Sequence, residues 1–185
     1  YFPGTHNFSR ADLIVINKAG SADSHDIEAI EANARRVNPD ARVIRRDSRL
    51  DVPHPEQIRG KRVLAIEDGP TTTHGGMKFG AGVLAARENG AAELVDPRPW
   101  AVGEIAETYR QYPDTGALLP AMGYGEAQTR DLEATIRATD CDLVLVATPI
   151  DLTRLVEIDQ PHMRIRYFMP PGDGTITEAV KRTLE

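Results

Sequence analysis

The chain of 185 residues is 41% hydrophobic and 27% charged, with a formal net charge of −6. That length admits one large domain, or one domain and part of another, and the composition excludes wholesale disorder, a collagen repeat and a disulfide scaffold. The acidic balance argues against a broadly basic nucleic-acid-binding surface, and no apolar run approaches the roughly 20 residues of a membrane helix.

The opening Tyr1-Phe2-Pro3-Gly4 reads as the interior of a longer polypeptide. Asp12 to Ile16 is a short apolar run that reads as a buried strand emptying into Asn17-Lys18. Asp23 or Ser24 caps the next helix, whose Ile27, Ile30, Ala34 and Val37 recur at helical spacing until Asn38-Pro39 ends it. Ala41 to Arg45 is a second strand. The stretch 51–60, with two prolines and a glycine, reads as a linker.

Val63 to Ile66 is an apolar strand that runs into Glu67 and Asp68. A glycine-rich loop from Gly69 to Gly82 follows, then a helix over 81–89 with Gly90 as its C-terminal cap. Glu93 to Val95 is a strand ending at Asp96-Pro97-Arg98-Pro99, and Val102 to Tyr112 a helix. Leu118 to Met122 is a strand leading into Gly123-Tyr124-Gly125, and Glu126 to Thr139 a helix. Asp142 to Ala147, the most apolar strand, ends in Thr148-Pro149-Ile150-Asp151. Arg164 to Phe168 is a last strand and Thr175 to Leu184 a last helix. Alternating strands and helices predict an α/β fold, a mostly parallel sheet with helices on both faces. In such sheets ligands bind beyond the carboxyl ends of the strands, where the polar and glycine-rich residues stand here.

The densest signal is the loop after Asp68. Its glycines let a backbone approach a ligand closely, and amides at a helix start favour an anion. Thr71, Thr72, Thr73, His74 and Lys78 add donors, with Gly75, Gly76, Gly80 and Gly82 between and after them. The pattern matches neither Gly-x-x-x-x-Gly-Lys-Ser/Thr nor Gly-x-Gly-x-x-Gly, so a phosphate or carboxylate cradle is weighed against a tight structural loop. Glu67 and Asp68 are candidate Mg²⁺ ligands, against one solvated acid and one turn-forming aspartate. Arg98 is either a clamp on an anion or the partner of Asp96 in ordering its loop. Tyr124, Gly125 and Thr148 stand at strand ends, as ligand contacts or as turn and cap residues. His6, His25, His54 and His162 show no metal-ligand spacing. Cys141 lacks an activating motif and reads as a small buried thiol. A lone cysteine and no visible signal peptide fit a reducing, cytoplasmic setting.

Ile66-Glu67-Asp68-Gly69-Pro70-Thr71-Thr72-Thr73-His74-Gly75-Gly76-Met77 with Gly80-Ala81-Gly82, then Val95 to Pro99, Leu119 to Gly125 and Ala147 to Leu152, together resemble the cyclic 2,3-diphosphoglycerate synthetase and GTPase-like P-loop family. The resemblance spans most of residues 10 to 168. It implies a P-loop NTPase-related fold, with 1–50 the tail of an NTPase-like domain, 51–60 a linker and 61–185 an α/β anion-binding domain. It implies ATP or GTP with Mg²⁺, and closure of a phosphorylated small acid into a cyclic anhydride. Thr71, Thr72, Thr73, Gly75, Gly76, Gly80, Gly82, Tyr124, Gly125 and Thr148 would cradle that acid. His74, Lys78 and Arg98 would act on it, and Glu67 or Asp68 would approach the metal. Val15-Ile16-Asn17-Lys18 resembles the Asn-Lys-x-Asp element that packs on a guanine, with Gly20 where the aspartate would stand; Asn17 and Lys18 are the implied nucleotide contacts.

The sequence holds no phosphate-binding P-loop, so its partner would be an amino-terminal half carrying one, and the isolated chain is expected to be inactive. The reading leaves room for a homodimer, another acid substrate, or, as an alternative, a GTPase-like regulator or metallochaperone that uses this half for sensing or dimerisation.

Overall fold

The structure, a computed structural model, describes residues 2–73, 79–170 and 175–184. Its elements in chain order are α1 (Phe2–Ser9), β1 (Leu13–Ile16), α2 (Ser24–Val37), β2 (Arg42–Arg45), β3 (Arg49–Asp51), β4 (Arg62–Asp68), α3 (Gly69–Thr73), α4 (Ala81–Glu88), β5 (Glu93–Leu94), α5 (Gly103–Gln111), β6 (Leu119–Ala121), α6 (Glu126–Ala138), β7 (Leu143–Ala147), β8 (His162–Arg164), β9 (Arg166–Phe168) and α7 (Thr175–Leu184). Tyr1–Arg49 with Tyr167–Glu185 make one compact unit, and Leu50–Arg166 the other. No helix among the described residues is long and apolar enough to cross a membrane.

In the first unit β1 and β2 pair in parallel, with Ile14 opposite Val43. The helix joining them starts where the sequence predicts: the Asp23 carboxylate accepts from the His25 amide at 2.8 Å. Such a cap contributes about 1 kcal/mol by satisfying an orphan donor. The helix buries Ile27 and Ala34. At its end Asn38 is buried, and its amide nitrogen donates to the Phe8 and Ala11 carbonyls at 3.0 and 2.8 Å. That side chain ties α1 to the end of α2.

The second unit is a wholly parallel sheet in the order β5-β4-β7-β8, with β6 also on β4. Val63 faces Leu94 on one side and Leu143 on the other, while Ile66 faces Leu119 and Val146. The two short strands β5 and β6 therefore share one edge of β4, and β7 takes the other. Strand alternation sorts the side chains onto two faces. Leu64, Ile66, Val144 and Val146 pack with Ile105 and Tyr109 of α5 and Leu132 and Ile136 of α6. Val63, Leu143 and Leu145 pack with Ala81, Ala85 and Ala86 of α4. This is why β4 and β7 read as unbroken apolar runs rather than alternating ones. Each such side chain contributes roughly 1.5–3 kcal/mol on burial.

Some elements differ from the sequence reading. Residues 69–73, expected in a loop, form a short helix. The last strand is split into β8 and β9. Within 51–60, Ile58 is fully buried against Val63 and Leu145. Cys141 is half-buried, and burial raises its thiol pKa.

Candidate functional site at the carboxyl end of the sheet

The chain leaves β4 for one side of the sheet, builds β5 and β6, then crosses back through α6 to β7. The carboxyl end of β4 is thus a topological switch point, the place where open α/β sheets hold their ligands. Three chain segments meet there in register: Glu67 and Asp68 beside Pro120 and Ala121 of β6, and Glu67 beside Ala147 of β7.

Alternation sends these two neighbouring acids to opposite faces. Glu67 follows Val63 and Ala65 toward α4. It is buried at 3% exposure, and its Oε1 accepts from the Val83 amide at 2.9 Å. Burial pushes its pKa up to about 7, against the opposing pull of the Val83, Gly82, Gly80 and Ala81 amides. The start of α4, which the sequence offers to an anionic ligand, thus holds a carboxyl group from the chain itself. Gly80 and Gly82 make the approach feasible: a Cβ on Gly80 would overlap the Glu67 carboxylate, and one on Gly82 would stand 3.2 Å from it.

Asp68 follows Leu64 and Ile66 toward the α5–α6 face and is half-buried. Tyr124, at the end of β6, lies near enough that burial first and the Asp68 charge second raise its phenol pKa. Gly125 caps α6, its amide donating to Gln128 Oε1 at 3.3 Å. Thr148 is buried at the end of β7, and its hydroxyl donates to the Ile150 carbonyl at 2.9 Å. Three residues after Thr148, the Thr153 hydroxyl and then the Arg164 and Arg154 guanidiniums hold the Asp151 carboxyl below the usual carboxylate range. Glu67, Asp68, Tyr124 and Thr148 therefore share one end of one sheet.

The threonine run is partly turned inward. The Thr72 and Thr73 hydroxyls donate to the Gly69 carbonyl at 3.1 and 2.8 Å, which closes the turn of α3. Thr73 also approaches Met122 Sδ at 3.8 Å. The Thr71 side chain and residues His74, Gly75, Gly76, Met77 and Lys78 lie outside the described residues.

Arg98 is held by its own loop. Its guanidinium donates to Asp96 at 2.7 Å and to the Thr115 and Pro113 carbonyls, and stacks 4.9 Å from the Tyr109 ring centre. Asn17 and Lys18 belong to the other unit. There the Asn17 Oδ1 accepts from the Lys18 amide at 2.9 Å and the Ser48 hydroxyl at 2.7 Å. Lys18 adopts a left-handed φ of 59° and sets its ammonium 4.2 Å from the Tyr167 ring centre.

Mg²⁺ needs oxygen ligands in near-octahedral order. Among the described residues no group of three or more His, Cys, Asp or Glu side chains stands where it could hold a metal. Of the two acids ending β4, Glu67 is buried against the amides at the start of α4, and Asp68 is half-buried on the opposite face. The capping role of Glu67 was not visible in the sequence, because its partner lies 16 residues on. The only local trace is the pair of small residues, Gly80 and Gly82, at the helix start.

No family model matches the chain. An arginine synthetase, ArcE, of Thermococcus kodakarensis is 52% identical to it over 167 residues, 90% of this chain and 37% of that enzyme. The chain thus spans a little over a third of the relative's length, 37%. Over nine-tenths of its own length it is similar to part of a synthetase-type enzyme, which is the ligase-like character that the sequence motifs suggest.

Proposed function

We propose that this chain forms the substrate-side part of an ATP-dependent synthetase that makes arginine or a closely related amino acid. The observation that carries the reading is the 52% identity to an arginine synthetase across nearly the whole chain. The strand-end site supports it, because a synthetase must hold a small polar substrate beside an activating phosphate. ATP with Mg²⁺ would supply the phosphoryl group that turns an oxygen of the acceptor into a leaving group. The chain's own residues would orient what is activated. Asp68 would meet the ion, Tyr124 and Thr148 would contact the substrate, and Lys78 and His74 would act on the developing charge. Asn17 and Lys18 would pack on the nucleotide base.

The motif order from Glu67 to Leu152 favours one second reading, a cyclase acting on a phosphorylated small acid. One chimera separates the two. In the Thermococcus enzyme, the matching 167 residues are exchanged for this chain. The chimera is expected to keep ATP-dependent arginine formation within about tenfold, the scatter ordinary for a compatible site, about 1.4 kcal/mol. Replacing Asp68 with Asn in it should then lower that rate with little effect on folding. A folded chimera that makes no arginine but consumes ATP with 2,3-diphosphoglycerate would overturn the first reading in favour of the second.

A further inference from the structure

A groove of about 390 Å³ runs along the outer face of α6, lined by Tyr124, Glu126, Thr129, Arg130, Glu133 and Leu155. It lies wholly inside the second unit, at the same end of the sheet as Asp68. Glu126, Thr129, Arg130 and Glu133 fall at i, i+3, i+4 and i+7, so they form one stripe on the helix, away from the buried Leu132, Thr135 and Ile136. The far wall is fixed. Glu133 accepts from Arg137 at 3.0 Å with one oxygen and from the Glu157 amide at 3.1 Å with the other. That second bond fastens the segment carrying Leu155 to α6.

Glu126 and Arg130 are spaced as a helical ion pair, the favourable order with the acid first. Among the described residues they make none, and neither side chain has another hydrogen-bonding or ionic partner. One unpaired carboxylate and one unpaired guanidinium thus line the same groove about one helical turn apart. Between the ends of the groove stand two exposed apolar walls, the Tyr124 ring at 39% and Leu155 at 43% exposure. A polyanion would find a single cation here beside two acids. A zwitterion finds a partner for each charge and an apolar slot for its stem.

We propose that this groove is an α-amino-acid site, with the ligand carboxylate on Arg130, its ammonium on Glu126 and its aliphatic stem between Tyr124 and Leu155. The inference rests on the synthetase reading for its biological sense, but its chemistry is independent of it. Guanidinium and carboxylate meet bidentately, which makes Arg130 the residue that selects for the carboxylate.

The test is calorimetric titration of this chain with L-arginine and with agmatine, which is arginine without its carboxylate. Arg130→Ala is expected to weaken L-arginine by about tenfold or more, the worth of a lost charge-assisted pair, and to leave agmatine unchanged. Glu126→Gln should weaken both ligands, since both keep an amine at that end. It should leave N-acetyl-L-arginine, which has lost that charge, unchanged. Circular dichroism of each variant establishes that α6 still forms. If L-arginine binds the chain and Arg130→Ala leaves its affinity untouched, the groove is not the site, whatever the chimera makes. If the folded chain binds neither L-arginine nor other α-amino acids, the inference falls, and arginine formation by the chimera still decides the synthetase reading on its own.

Discussion

Replacing Glu67 with alanine is expected to cost about 2–4 kcal/mol of unfolding free energy, from lost cap bonds, stranded amides and an unfilled space. Its carboxylate is the partner of the Val83 amide, and the first turn of α4 has no other capping side chain. The same residue makes stability depend on pH with an unusual sign. Its pKa is about 7 in the folded chain and near 4.5 ordinarily, so the folded state binds the proton more tightly. The stabilisation is complete below about pH 4.5 and is lost as pH rises through 7. A shift of that size corresponds to about 3 kcal/mol across the window. Glu67→Gln cannot ionise. The difference between the wild-type and Glu67→Gln urea-unfolding curves, measured from pH 5 to pH 8, should therefore move toward the variant as pH rises. A difference that stays constant over that range would mean that Glu67 does not change charge on folding there.

Four amides and a helix start favour the charged Glu67 carboxylate, yet burial outweighs them. A group balanced in this way changes charge near neutral pH, as burial and the amides pull against each other. The division between Glu67, turned to the scaffold, and Asp68, turned to the mouth, follows from strand alternation alone.

Much of this architecture is legible in the residues. Leu64, Ile66, Val144 and Val146 are continuous apolar runs because both faces of a parallel sheet are covered. Asp23 before Ile27, and Asn38-Pro39 after Val37, mark both ends of α2. The strand-end position of Glu67, Asp68, Tyr124 and Thr148 also follows from the order of elements. What the sequence conceals is where polar side chains spend their hydrogen bonds. Thr72 and Thr73 look like free donors in a loop, but a threonine can bond back to a helix carbonyl three or four residues earlier, and both do so at Gly69. Glu126 and Arg130 look like an ordinary solvated pair. Their groove depends on Leu155, brought to α6 by a bond from Glu157 to Glu133 across 24 residues. Pairings of such separation leave no periodic trace.

Arg98 provides the sharpest separation between scaffold and chemistry. Arg98→Ala is expected to destabilise the chain by about 2–3 kcal/mol, because its removal strands several acceptors at once. Asp96 loses its 2.7 Å partner, the Thr115 carbonyl loses its donor, and Tyr109 loses a cation over its ring. Tyr109 itself is buried and donates to the Leu118 carbonyl at 2.6 Å just before β6, so the disturbance reaches the strand beside Asp68. Arg98→Lys should recover only part of this, since one ammonium cannot span Asp96 and Thr115 as a planar fork does. The sequence also offers Arg98 as a charge-neutralising group in the reaction. In the chimeric synthetase the two roles part company when kcat is measured well below the unfolding transition of Arg98→Lys. With both Nη groups engaged by Asp96, Pro113 and Thr115, activity is expected to follow the folded fraction and kcat to stay within about threefold of the unsubstituted enzyme, less than 1 kcal/mol of barrier. A kcat loss of about a hundredfold in a folded variant, some 2.7 kcal/mol, would place the guanidinium at the reacting atoms instead.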